Sequence, residues 1–86
     1  MAITLSTAAE RDMDRIDQYL RKIFYSHFKK VQRMPPRRHL LFGLPFNVEK
    51  VTSNARFVYT IDGGTLSVQR CFATHKEYEK WYKSFK

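Results

Sequence analysis

Asn54-Ala55-Arg56-Phe57-Val58-Tyr59-Thr60-Ile61-Asp62-Gly63-Gly64-Thr65-Leu66-Ser67-Val68-Gln69-Arg70-Cys71-Phe72-Ala73 is the stretch that decides the fold. Each half is rich in β-branched and aromatic residues, and Gly63-Gly64 supplies the positive φ angles of a tight hairpin turn. A two-residue loop pairs Ile61 with Leu66, Tyr59 with Val68 and Phe57 with Arg70. One side of the hairpin then carries Phe57, Tyr59, Ile61, Leu66, Val68 and Phe72, an apolar surface that requires a cover. The other side carries Arg56, Val58, Thr60, Ser67, Gln69, Cys71 and Ala73.

Before the hairpin, Phe46-Asn47-Val48-Glu49-Lys50-Val51 reads as a further strand. If the loop over residues 52–55 closes it onto the hairpin, Phe46 and Val48 point to the core. Asn47, Glu49 and Val51 then share the polar side with Arg56, which makes that side the expected binding surface. After the hairpin, Thr74-His75-Lys76-Glu77 is a capping box that starts a terminal helix, with Tyr78, Trp81, Tyr82 and Phe85 on one face.

Toward the N-terminus, Ala2 to Leu5 alternates as a short strand, and Thr7-Ala8-Ala9-Glu10 is a second capping box. Met13, Ile16, Leu20, Ile23, Phe24, Phe28 and Val31 recur at helical spacing up to about Met34. A single helix of that length would reach about 40 Å, whereas strands of six to eight residues span about 20 to 27 Å. A break near Phe24 to Ser26, giving two packed helices, is therefore expected. Pro35-Pro36 ends the helical region, and Arg37-Arg38-His39 follows in a loop. The expected order is β-α-α-β-β-β-α: an α+β fold with a small, mainly antiparallel sheet packed on N-terminal helices, in one domain spanning residues 1–86.

Sixteen Lys and Arg against eight Asp and Glu give a formal net charge of +8, so a polyanionic partner is expected. One cysteine in 86 residues excludes an internal disulfide and a cysteine metal cluster, and fits a reducing cytoplasm. No run approaches the length of a membrane span, and Met1 to Leu5 is unlike a signal peptide. His27 and His39 do not have metal-ligand spacing.

Arg56-Phe57-Val58-Tyr59 resembles the Arg-Leu-Val-Tyr strand of RelE and YoeB, in the RelE/ParE superfamily of bacterial toxins. Gly43-Leu44-Pro45 and the Asp62-Gly63-Gly64-Thr65 turn are similar too, as is the order of elements. Thr74-His75-Lys76-Glu77-Tyr78 is similar to a segment of HigB-type toxins, and Ala9 to Ile16 is similar to the first helix of ParE. The resemblance implies a RelE-like toxin that cleaves messenger RNA, usually in the ribosomal A site, and is neutralised by a cognate antitoxin. It implies no cofactor, no membrane and no small-molecule partner. By the same resemblance, Arg56 is the phosphate-contacting arginine, and His75 or Tyr78 is the C-terminal acid or stacking group. RelE carries two lysines on the preceding strand; Asn47 and Glu49 occupy the matching positions, which makes Glu49 the candidate base.

Metal-free RNA cleavage needs a base for the 2′-hydroxyl, cations at the phosphate and an acid for the leaving oxygen. Glu49, Arg56 and His75 suit those roles in that order, with Tyr78 or Tyr82 stacking on a base. Arg37, Arg38, His39, Lys50, Lys76 and Tyr82 are the further candidates for RNA contact. Each has a plainer reading: Arg56 as an exposed strand charge, Glu49 as a surface carboxylate, His75 as a packing group, and the aromatic residues as a docking stripe. The alternative functions are a ParE-like, non-enzymatic inhibitor of DNA gyrase and a non-catalytic basic RNA-binding module.

Overall fold

The computed structural model describes residues 2–33 and 46–84. The elements follow the expected order: β1 (Ile3–Leu5), α1 (Thr7–Arg15), α2 (Gln18–Arg33), β2 (Asn47–Lys50), β3 (Arg56–Asp62), β4 (Thr65–Phe72) and α3 (His75–Lys83). One four-stranded sheet has the strand order β1-β4-β3-β2, with β1 parallel to β4 and the other pairs antiparallel. Gly63 and Gly64 turn the hairpin at φ 57° and 83°. No helix among the described residues is long and apolar enough to cross a membrane.

Helices α1 and α2 cover one side of the sheet. Ala9, Met13 and Ile16 from α1 and Phe24, Phe28 and Val31 from α2 pack on Phe57, Tyr59, Leu66, Val68 and Cys71. The ring of Phe28 stands edge-on to Phe57, with centroids 4.7 Å apart. Burying side chains of this size contributes about 1.5–3 kcal/mol each.

The helical break lies at Ile16-Asp17 and not near Phe24. Ile16 is extended (φ −87°, ψ 138°), and the Asp17 carboxylate accepts from the Leu20 N–H at 2.9 Å, capping α2. Arg21 then reaches back, its Nε donating to the Met13 carbonyl and its Nη2 to the Ile16 carbonyl, so the end of α1 is satisfied. Ser6, one residue before the expected Thr7, caps α1 by accepting from the Ala9 N–H at 3.0 Å. Thr74 caps α3 through the Glu77 N–H, as the capping box predicts.

Two register shifts change which residues share a side. In β4, Tyr59 pairs with Val68 but Val58 pairs with Arg70, so Gln69 is an unpaired bulge residue. Beyond it, Cys71 joins the core against Phe57, and Phe72 turns to the opposite side with Val58. Arg70 accordingly stands across from Val58 and not from Phe57. In β2, Lys50 pairs with Arg56, and Val48 with Val58, because the connecting loop begins at Val51 and has an odd number of residues. The expected assignment of Glu49 and Val51 to the side of Arg56 is thereby reversed.

The second side is not an open polar surface either. Helix α3 covers it, setting Tyr78, Trp81 and Tyr82 against Phe46, Val48, Val58 and Phe72. Helices therefore lie on both sides of the sheet.

Candidate functional site

Arg56 opens β3 at the end of the side covered by α3. The preceding turn is fixed by Thr52, whose hydroxyl accepts from the N–H groups of Asn54 and Ala55 at 3.2 and 2.9 Å. That turn brings the Ser53 carbonyl to 3.2 Å from Nη2 of Arg56, which donates to it. The guanidinium carbon lies 5.3 Å from the centroid of the Tyr78 ring, a cation–π contact. Nε of Arg56 is buried and has no hydrogen-bond partner among the described residues. The cation is thus half-buried and oriented, yet incompletely satisfied.

Tyr78 is 5% exposed and links Arg56 to the start of α3. Burial raises the pKa of its hydroxyl above that of a free tyrosine, and the positive charge of Arg56 opposes the rise only in part. The phenol is therefore neutral at physiological pH and can donate. Its ring lies 5.9 Å from that of His75 and 5.1 Å from that of Tyr82. His75 Nε2 is paired with Glu79, which also faces Lys83 across one turn of the helix. Lys50, directly across the ladder from Arg56, is exposed, and Lys76 is exposed beside His75.

Arg56, Lys50, His75, Tyr78 and Tyr82 are thus gathered at one end of the sheet, and Lys76 lies at their border. Glu49 is elsewhere. Its carboxylate is 3.1 Å from Nδ1 of His27 and 3.9 Å from Nζ of Lys30, both on α2, and it stands across from Phe57. The reason is the register: a carboxylate one residue from Lys50 must face the other side. Arg37, Arg38 and His39, with Gly43-Leu44-Pro45, lie outside the described residues. Among the described residues, no three His, Cys, Asp or Glu side chains converge as a metal site requires.

Two groups outside this cluster have structural roles. Asp12 of α1 is 4% exposed and accepts from Arg70 Nε at 2.7 Å, from Arg70 Nη2 at 3.2 Å and from the Cys71 backbone N–H at 3.0 Å. Sequence reasoning missed this carboxylate because Asp12 sits among four other charged residues of α1, Glu10, Arg11, Asp14 and Arg15, and nothing local marks it as buried. Cys71 is an unreactive thiol. Burial, then the charge of Asp12, pushes its pKa up to about 12. A cleft of about 390 Å³ between α1, β4 and α3 is bordered by Arg15, Arg70, Lys80 and Trp81, and none of the nominated residues lines it.

No protein-family model matches the chain, and no curated protein sequence matches it. Solved structures do. The isolated RelE toxin of E. coli superposes with a TM-score of 0.71 at 16% identity, over 98% of this chain and 97% of that one. RelE in the intact E. coli RelBE toxin–antitoxin complex gives 0.70 at 18% identity, over 80% of this chain and 90% of the other. The YoeB/ParE toxin from Agrobacterium tumefaciens gives 0.66 at 20% identity, over 83% and 95%. The chain has the fold of the RelE/ParE toxin superfamily.

Proposed function

We propose that this chain is the toxin of a toxin–antitoxin pair, acting in the cytoplasm as a metal-independent endoribonuclease on messenger RNA at the ribosome. The observation that carries the reading is Arg56: a half-buried guanidinium on the Tyr78 ring, with no partner for Nε among the described residues, in a fold shared with RelE. A guanidinium held this way is suited to a phosphate oxygen, since the cost of orienting it is met in the folded protein. A cognate antitoxin is the second partner, by analogy with the RelBE complex.

In this reading the 2′-oxygen attacks phosphorus, a cyclic phosphate forms, and the 5′-oxygen leaves with a proton. Arg56 and Lys50 neutralise the charge that develops on the phosphoryl oxygens. His75, one ring away from Tyr78, protonates the leaving oxygen. Glu49 is withdrawn as the base, since it faces α2; the 2′ proton passes to solvent water, and Lys50, the β2 neighbour of Arg56, serves as the second cation at the phosphate. Tyr78 acts as a positioning group for Arg56 and His75, while Tyr82 and Lys76 contact the bound strand.

The test is cleavage of messenger RNA on purified ribosomes. Arg56→Ala is expected to lower the rate by about 10²–10³-fold, the usual cost of one charge-stabilising group, with circular dichroism and Tm close to wild type. Lys50→Ala should lower it comparably. Intact RNA with folded wild-type protein and ribosomes present overturns the proposal.

The similarity of Ala9 to Ile16 to the first helix of ParE favours one other reading, a non-enzymatic poison of DNA gyrase. Loss of supercoiling with RNA left whole would support it.

A further inference from the structure

Helix α2 has a charge pattern unlike the other two helices. Between Gln18 and Arg33 it carries Arg21, Lys22, Lys29, Lys30 and Arg33, and no Asp or Glu. Helix α1 sets Glu10, Asp12 and Asp14 against Arg11 and Arg15, and α3 sets Glu77 and Glu79 against Lys76, Lys80 and Lys83. Two of the α2 cations have structural work: Arg21 closes the end of α1, and Lys30 lies near Glu49. Lys22, Lys29 and Arg33 have no ion-pair partner among the described residues. They occupy one stripe with Ser26 at positions 22, 26, 29 and 33, about 16 Å long.

A stripe kept merely for solubility would interleave acids at i,i+4, because opposite charges there stabilise a helix and like charges destabilise it. Lys29 and Arg33 are like charges at that spacing, with no acid among the described residues paired to either. The same face holds Tyr19 and Tyr25, 77% and 46% exposed, the two exposed large hydrophobic side chains among the described residues. Lys22, Tyr25, Ser26, Lys29, Lys30 and Arg33 together line a shallow open groove. This face lies across the sheet from Arg56, since α2 and α3 cover opposite sides.

We infer that the outer face of α2 is a second nucleic-acid surface, which docks on the phosphate backbone of a folded, double-helical RNA without reading its sequence. Three cations with no ion-pair partner among the described residues suit phosphates spaced along a backbone, and the two exposed tyrosines offer hydroxyls to phosphate or ribose. The inference does not depend on cleavage. A protein that only binds RNA would use the face in the same way.

The test is binding of the full chain to a 2′-O-methylated RNA duplex of about 16 base pairs, which cannot be cut by 2′-oxygen attack. Anisotropy titrations are run at salt concentrations from about 50 to 200 mM. The variant Lys22→Gln/Lys29→Gln/Arg33→Gln is compared with Arg11→Gln/Lys80→Gln/Lys83→Gln, which removes the same charge from other elements. The α2 variant is expected to bind at least tenfold more weakly and to flatten the slope of log K against log salt by about 2 to 3. The control variant should stay within about twofold of wild type and keep its slope. Equal losses in both variants overturn the inference, because net charge alone would then explain binding. Unchanged duplex affinity in the α2 variant overturns it too. Melting curves that match wild type show that the substitutions spare the fold. Cleavage of ribosome-bound message by the wild type is scored separately, so failure of this inference and failure of the nuclease reading are distinct results.

Discussion

At Asp12 a single carboxylate, almost wholly buried, serves two donors of Arg70 and one backbone N–H of β4. Arg15 also meets it at 2.9 Å, but that arginine is largely exposed and contributes little. Removing the carboxylate strands the Cys71 N–H and leaves Arg70 without its partner. Asp12→Ala is therefore expected to cost about 3–5 kcal/mol, the usual penalty for breaking a buried pair, and urea denaturation measures it. Asp12→Asn, which keeps an acceptor for Cys71, should cost less. A loss below about 1 kcal/mol for the alanine variant would mean that Asp12 behaves as a surface charge. The same residue shows why burial of a charge is hard to read from sequence. Its neighbours in α1 are solvated acids and bases, and only the position of β4, nearly sixty residues away, sets it apart.

At the level of elements, the hairpin, the strand before it and both outer helices were legible, since turn glycines, alternation and the Thr74 cap are local signals. That two helices replace one long helix follows from the length of the sheet. The place of their break, at Ile16-Asp17 and not at Phe24 to Ser26, was missed because no glycine or proline marks it; Asp17 ahead of Leu20 is the local signal that could have placed it. Asp17→Ala should lower stability by about 1 kcal/mol, seen as a fall in Tm of roughly 4–8 °C for a domain of this size. An unchanged Tm would show that packing of α2, not its cap, fixes the break. The two strand registers were not legible, because a bulge and an odd-length loop are each decided by tertiary contacts. The bulge has a testable signature. Gln69 is one residue more than β3 can pair, so deleting it leaves Leu66, Val68 and Cys71 toward α1 and α2, and Phe72 toward α3. That deletion should still fold, with dispersed NMR spectra and a lowered Tm. Deleting Ser67 instead removes the bulge but turns Val68 outward and Gln69 into the core, and should lower Tm much further than loss of Gln69.

For the molecule as a whole, the expected polar sheet surface is in fact a packed layer, and the cations lie in two places that the sheet separates. The Arg56 cluster lies at the end of the side covered by α3; the α2 stripe faces outward on the other side. Tyr78, Trp81 and Tyr82 of α3 pack on the sheet, the plainer of the two readings of that stripe, and this packing is what removes the open surface. The sheet also has a protected outline. Beyond the reach of β1, the outer rim of β4 is occupied by side chains: the Ser6 hydroxyl donates to the Gln69 carbonyl, and Asp12 takes the Cys71 N–H. What remains at the borders is three residues of β1 and four of β2, whereas a self-templating segment needs about six. The stretch Phe57-Val58-Tyr59-Thr60-Ile61, rich in β-branched and aromatic residues, is enclosed as an inner strand. Conversion to amyloid by this protein therefore has to pass through global unfolding, and lateral accretion of native molecules offers no shortcut.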